Sequence, residues 1–319
     1  MTRGVRSGID LATATVSFAC VVPGVAATLG AGRPKITTMA PLTIVGFASG
    51  SPLSQMAMTR LARDHRVVAI VQPPQRGGML RKFARILLRR KNPLAAFGVP
   101  LIDASEVGRF KPEIIVVASY PRIIPASVLG AARIGALNMH ASALPRHRGV
   151  DGIFGTYWDD DSEAAITIHW IDERIDAGDI AAQKSIPLAR GRPSRELYME
   201  LASIGVELLA GVLEGVSSGQ MPRWKQDESR ASYRSAADIA RARVPFLEWP
   251  AERVWHVLGG LGDQRSGLVA DAAGQPLIHG RATHYRLAAD VEPGRISSVE
   301  AGYELHCRDG IVTLLGRHS

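Results

Sequence analysis

Three side chains in this 319-residue sequence have the types and the spacing of a proton-transfer site. Residues 137–149 read Leu-Asn-Met-His-Ala-Ser-Ala-Leu-Pro-Arg-His-Arg-Gly, and Asp-Ala-Gly-Asp-Ile follows at 176–180. Asn138 and His140 alternate at strand spacing, so both project from one face of the strand that carries them. Asp176 arrives in an Asp-x-Gly turn, where taken singly it would pass for turn chemistry. Beside Asn138 and His140 it is the carboxylate of a trio. An amide, an imidazole and a carboxylate brought together can polarise a carbonyl, stabilise an oxyanion and take up a proton. The pattern has no metal-ligand spacing, and no metal is expected. Gly46-Phe-Ala-Ser-Gly50 is neither a dinucleotide fingerprint nor a phosphate loop, which argues against a nicotinamide enzyme or an NTPase.

The elements that must position the trio alternate between strand and helix. Strands are expected at Thr43–Ala48, Arg66–Gln72, Ile114–Ala118 and Ala136–His140, with helices at Ser54–Asp64 and Pro125–Leu129. Ile114–Ala118 is continuously apolar, as in a strand covered on both faces. The order implies an α/β fold: a Rossmann-like, mostly parallel sheet that binds ligands beyond the carboxyl ends of its strands. Two further strands, Ala164–Trp170 and Ile180–Ile186, flank the Asp176 turn. Arg195–Gly215 reads as a strong helix with an apolar face of Leu197, Leu201, Ile204, Val206, Leu208 and Leu209, and with Ser194 as N-cap. Residues 217–244 are rich in Ser, Ala and Arg. A short helix is expected at Glu252–Leu258, followed by short Gly-punctuated strands, the signature of a small all-β unit.

Composition sets the outer bounds. Hydrophobic residues make up 46% and charged residues 21% of the chain, as in a globular protein of two units. Two cysteines far apart, Cys20 and Cys307, make neither a disulfide framework nor a zinc site and fit a reducing, cytoplasmic compartment. The net charge of +8 favours anionic partners without choosing among them. Leu11–Leu29 is apolar, but Asp10 and Pro23 weaken a secretory or membrane reading, and no membrane partner is expected. Met39 stands just before the first strand, so residues 1–40 are expected to be a disordered extension or to precede the true start. Met79–Lys91 carries Arg81, Lys82, Arg85, Arg89, Arg90 and Lys91 among apolar residues. It is either an ordinary surface helix or a phosphate-contacting one.

Asn-x-His-x-Ser-x-Leu-Pro, then Arg-Gly, then a later Asp-x-Gly resembles the formyltransferases that use 10-formyltetrahydrofolate. The resemblance runs from about Leu42 to Gln226. More weakly, residues 245–319 resemble the small OB-like β-barrel appended to methionyl-tRNA formyltransferases. It implies a catalytic domain over 41–226, a linker over 227–244 and a C-terminal β domain over 245–319. It also implies that Asn138, His140 and Asp176 are catalytic. The loop Ser119–Pro125 matches one that lines the folate pocket, carrying Arg122, Ile123 and Ile124 as folate contacts. Ser142 is a further candidate there. His169 matches a histidine of the glycinamide-ribonucleotide and sugar-amine enzymes and is an acceptor-binding candidate. Arg148 either contacts the acceptor or lies in a solvated loop.

The family formylates several amines. Three departures lean away from initiator tRNA. They are the absence of Gly-Thr-Pro near residue 46, the presence of His169, and Gly-Val-Asp-Gly-Ile-Phe at 149–154 in place of Arg-Gly-Ala-Ala-Pro-Ile. The expectation is formyl transfer to a small primary amine such as a nucleotide-linked amino sugar. Methionyl-tRNA is the alternative acceptor, a formyltetrahydrofolate hydrolase is a further alternative, and a homodimer is left open.

Overall fold

Residues 40–74 and 92–316 are described by the computed structural model, and within them the apolar runs assemble into a seven-stranded sheet. The apolar stretch 11–29 and the basic segment 79–91 lie outside the described residues. β1 (Thr43–Ala48), α1 (Pro52–Asp64), β2 (Arg66–Val71), β3 (Leu101–Ile102), β4 (Ile114–Ala118), α2 (Ala126–Leu129) and β5 (Gly135–His140) follow one another along the chain. Every residue of β4 is buried, which is why that strand has no polar alternation. Beyond β5, the two-residue β6 (Arg148–Gly149) and α3 (Gly152–Trp158) precede β7 (Glu163–Trp170) and β8 (Ile180–Pro187).

The strand order is β3-β2-β1-β4-β5-β7-β8. The first five strands are parallel, and β7 and β8 add antiparallel to the β5 edge. The chain works outward from β1 in one direction and from β4 in the other. The carboxyl ends of β1 and β4 therefore flank a switch point, the usual crevice for ligands in such sheets.

α4 (Ser194–Ser217) covers one face of β7 and β8 and buries Leu197, Leu201, Val206, Leu209 and Leu213. Ile204 and Leu208 are only half-buried. The N-cap is Pro193, not Ser194; Ser194 is the first helical residue, buried, and its Oγ has no hydrogen-bond partner among the described residues. A serine that caps a helix loses about 1 kcal/mol when cut to alanine. Here the hydroxyl only carries a desolvation cost. Ser194→Ala is therefore expected to give equal or greater stability in urea unfolding, and a loss of cap size would show that the hydroxyl has a partner.

The C-terminal part contains β9 (Tyr233–Arg234), α5 (Ala236–Arg241) and α6 (Ala251–Leu261), then β10 (His279–Leu287), β11 (Ile296–Val299), β12 (Gly302–His306) and β13 (Gly310–Gly316). Its strands give the expected small all-β unit as a four-stranded antiparallel sheet of order β10-β13-β12-β11. Val254, Val257 and Leu258 of α6 share one apolar cluster with Leu305, Val312 and Leu314 of that sheet, and with Phe154 and Tyr157 of α3 and Leu197 of α4. The β unit is thus packed onto the α/β part through a common core. Residues 227–244 are more than a linker: β9 pairs with β6, and Ser232 and Arg234 bond the loop that follows β5. None of the helices among the described residues is long and apolar enough to cross a membrane.

Candidate active site

β5 ends where β7 pairs with it antiparallel, with Asn138 opposite His169 and His140 opposite Thr167. This register brings a second imidazole beside the amide. The chain leaves β7, turns through Asp176 at φ 50° and returns as β8. Gln226 holds the turn, its Nε2 donating to the carbonyls of Asp176 and Gly178 at 2.8 Å each.

Four side chains converge. Asp176 Oδ2 accepts the Gly149 N–H at 2.9 Å and lies 3.7 Å from His140 Nδ1. Asp176 Oδ1 lies 3.4 Å from Asn138 Nδ2 and 3.5 Å from His169 Nε2. His169 Nδ1 faces the Trp170 carbonyl at 2.9 Å and must donate to it. Its Nε2 then accepts from Asn138 Nδ2 at 3.0 Å. Of the two amide hydrogens of Asn138, one is held by His169. The other makes only the long contact with Asp176 and is the one free to turn toward a developing negative charge.

His140 is 8% exposed, and its Nε2 donates to the His147 carbonyl at 2.9 Å. Burial pushes the imidazole below its ordinary value, opposed by the Asp176 carboxylate and the His147 carbonyl. The ring therefore rests neutral with its proton on Nε2, and the Nδ1 lone pair faces the carboxylate. Burial alone would raise the Asp176 carboxyl, but the group is held well below the usual carboxylate range, with the Gly149 N–H donating to it. This geometry leaves the Nδ1 lone pair beside an anion, an arrangement that could take up a proton and stabilise the resulting imidazolium.

The loop between His140 and Gly149 is strapped from several sides. Thr167 Oγ1 donates to the Ser142 carbonyl at 2.7 Å, and Gln183 Nε2 donates to the Leu144 carbonyl at 2.9 Å. The Leu144–Pro145 peptide is cis. Ser142 is fully buried and its Oγ donates to the Arg146 carbonyl at 2.9 Å. The hydroxyl is thus engaged inside the loop. Arg148 is buried as well. It is 8% exposed, and its guanidinium donates to Gln226 Oε1 at 2.8 Å and to Glu228 at 2.9 Å. Through Gln226 it braces the Asp176 turn, and its burial does not fit a solvated loop. His169 is 1% exposed, has both ring nitrogens engaged and sits behind Asn138.

The Ser119–Pro125 loop rises from the carboxyl end of β4. Ser119 has φ 56°, its Oγ lies 3.2 Å from Tyr198 Oη, and the Tyr120 ring meets Phe47 edge-on at 5.0 Å. Arg122 and Ile123 are exposed, Ile123 to 79%, while Ile124 packs partly on the core. Gln226, Glu228, His147 and Ser232 are functional neighbours that sequence reasoning missed; no local pattern marks them.

An amide–imidazole–carboxylate set at a strand end of a doubly wound sheet is suited to acid–base chemistry on a ligand bound there. A family model described as formyl transferase matches residues 102–213. The chain is 30% identical over 291 residues to a methionyl-tRNA formyltransferase of Roseiflexus sp. (strain RS-1), covering 86% of this chain and 87% of that one. It therefore belongs to the formyl transferase family, whose members are transferases. Among solved structures, its fold is similar to that of an N-formyltransferase from Helicobacter canadensis in complex with folinic acid and dTDP-3-aminofucose. The TM-score is 0.64 and the identity 17%, over 87% of this chain and 100% of that one. HypX from Aquifex aeolicus, in complex with tetrahydrofolic acid, aligns at TM-score 0.60 and 18% identity over 86% of this chain. This chain spans 44% of that longer protein.

Proposed function

We propose that the protein transfers a formyl group from 10-formyltetrahydrofolate to a primary amine in the cytoplasm, and that the acceptor is a small amine such as a nucleotide-linked amino sugar. The observation that carries the donor chemistry is His140 Nδ1 facing Asp176, with Asn138 beside them. The bound folate supplies the activated formyl carbon. Neutral His140 receives the proton released by the attacking amine, Asp176 stabilises the imidazolium, and Asn138 turns one amide hydrogen to the oxygen where charge develops. As that intermediate collapses, the bond from the formyl carbon to the folate nitrogen breaks and that nitrogen leaves with the proton held at His140. Ile123, exposed on the loop after β4, and Arg122 beside it suit the flat heteroaromatic of a folate, which needs an apolar edge and few polar contacts.

Support for a small acceptor comes from the rim of the site. Val150, Ile175 and Tyr233 are about half exposed, and Tyr233 lies over Gly149, whose N–H bonds Asp176. A methyl group on Gly149 would come within 2.7 Å of the Tyr233 ring. A small aromatic and apolar rim of this kind fits a sugar or base. Initiator methionyl-tRNA is a second reading, favoured by the relative from Roseiflexus sp.. Purified protein with 10-formyltetrahydrofolate should be offered a panel of nucleotide-linked amino sugars and methionyl-tRNA at several salt concentrations. Formylation of an amino sugar with weak salt dependence is the expected result. Efficient formylation of methionyl-tRNA alone, falling steeply with salt, would overturn the acceptor and leave the donor chemistry. Formate release with no formylated amine would overturn both.

A further inference from the structure

His147 follows the site motif and touches no member of the trio with its side chain, yet it is among the most heavily engaged residues of the loop. It is 2% exposed and its φ is 61°, in the left-handed region. That conformation costs a residue with a Cβ about 1–2 kcal/mol. Something must hold it there. The imidazole Nε2 donates to Asp161 Oδ2 at 2.7 Å. On its other side, Nδ1 lies 3.3 Å from an Arg234 guanidinium nitrogen and 3.5 Å from Asp159 Oδ2. Arg146 pairs with Asp161 and Arg234 with Asp159, so two carboxylates and two guanidinium groups enclose the ring. The His147 N–H donates to Ser232 Oγ at 2.9 Å. Gly155 of α3 makes room for the ring, since a Cβ there would lie 2.6 Å from Nδ1.

The product of this clamp is the direction of one carbonyl. The His147 carbonyl is the acceptor for His140 Nε2. In an imidazole, the partner of one nitrogen decides which nitrogen carries the proton. We propose that His147 is a positioning residue: the clamp on its ring holds its strained backbone so that its carbonyl fixes His140 as the Nε2–H tautomer, leaving Nδ1 as the proton acceptor facing Asp176. A residue needed only for packing would not call for a polar ring between two carboxylates. The effect on turnover rests on the formyl-transfer reading given above, but the effect on the His140 tautomer does not.

The test uses His147→Leu, which removes the polar clamp, and Asp161→Asn, which weakens it without changing shape. The readout is the 15N spectrum of the His140 ring in protein labelled at histidine, with melting curves to establish folding. The native chain is expected to show a protonated Nε2 and a bare Nδ1. Both variants are expected to show a mixture of tautomers. Their kcat is expected to fall by about ten- to a hundredfold, on the scale seen when a partner that orients a metal-bound histidine is lost, with folate affinity retained. Unchanged His140 signals in the folded variants would overturn the inference, whatever the rate does. Mixed tautomers with full turnover would uphold the positioning and overturn the role given to His140 in the reaction. Should His147→Leu not fold, Asp161→Asn carries the comparison.

Discussion

His140→Ala is expected to lower kcat for formyl transfer by about two to four orders of magnitude, the range for losing a general acid–base group, while reduced folate still binds. His140 ends β5 with its Nε2 committed to the His147 carbonyl and its Nδ1 turned to Asp176, so no other imidazole can take its place. His169 is the nearest candidate, and both its ring nitrogens are already engaged. Asp176→Asn is expected to lose rate on a similar scale, because the imidazolium formed at His140 would lack its anion and the Gly149 N–H would lose a charged acceptor.

The pH dependence separates the two variants. Proton uptake at Nδ1 needs neutral His140. Burial lowers that group from the ordinary imidazole value of about 6.5, with Asp176 opposing the shift. The acid limb of the native kcat profile should therefore lie below that value, with activity lost as pH falls through it. Asp176→Asn removes the opposing charge, so what activity remains should have its acid limb at still lower pH. The measurement is kcat against pH for both chains. An acid limb that moves upward in Asp176→Asn, or near-native turnover in His140→Ala, would remove the proton-acceptor role.

The sequence announces β4 because it is an unbroken apolar run between Glu113 and Ser119, and β1 because it is mostly apolar and ends before a Ser- and Gly-rich turn; their observed limits match those readings. The two-residue strands β3, β6 and β9 carry no period to detect. Asn138 and His140 are readable because a strand puts alternate residues on one face. Asp176 joins them only through tertiary structure, and the Asp-x-Gly spelling would not have been enough without the resemblance. Long-range support was invisible. Arg148 meets Gln226 across 78 residues of chain, and its type alone suggested a substrate contact. Ser232 and Arg234 lie in a segment whose composition is that of a linker, yet they bond His147. Type and spacing mark Ser142 and His169 as polar, whereas burial and register decide which protein groups they meet.

Gly178→Ala is the substitution outside the trio with the largest expected effect, and its cause is backbone sterics. A Cβ at 178 would lie 1.9 Å from the Trp170 carbonyl oxygen and 3.2 Å from the Asp172 nitrogen. Both are main-chain atoms at the end of β7, so no side-chain rotation relieves the clash. The Trp170 carbonyl is also the acceptor for His169 Nδ1, and the Gly178 carbonyl is one of the two that Gln226 holds to fix the Asp176 turn. Forcing the strands apart there should displace Asp176 and release His169 from Asn138 together. The expected result is a loss of about 1–3 kcal/mol in urea unfolding, as for overpacking at a tight site, and a fall in kcat of about a hundredfold or more, on the scale of losing an acid–base group. Gly211→Ala is the control: it sits on α4 with nothing within 4 Å of a built Cβ. There the same change should raise stability by about 0.5–1 kcal/mol through helix propensity and leave kcat alone. Native stability and turnover in Gly178→Ala would mean that the end of β7 yields to a methyl group, and that close backbone packing is not what holds Asp176 against His140.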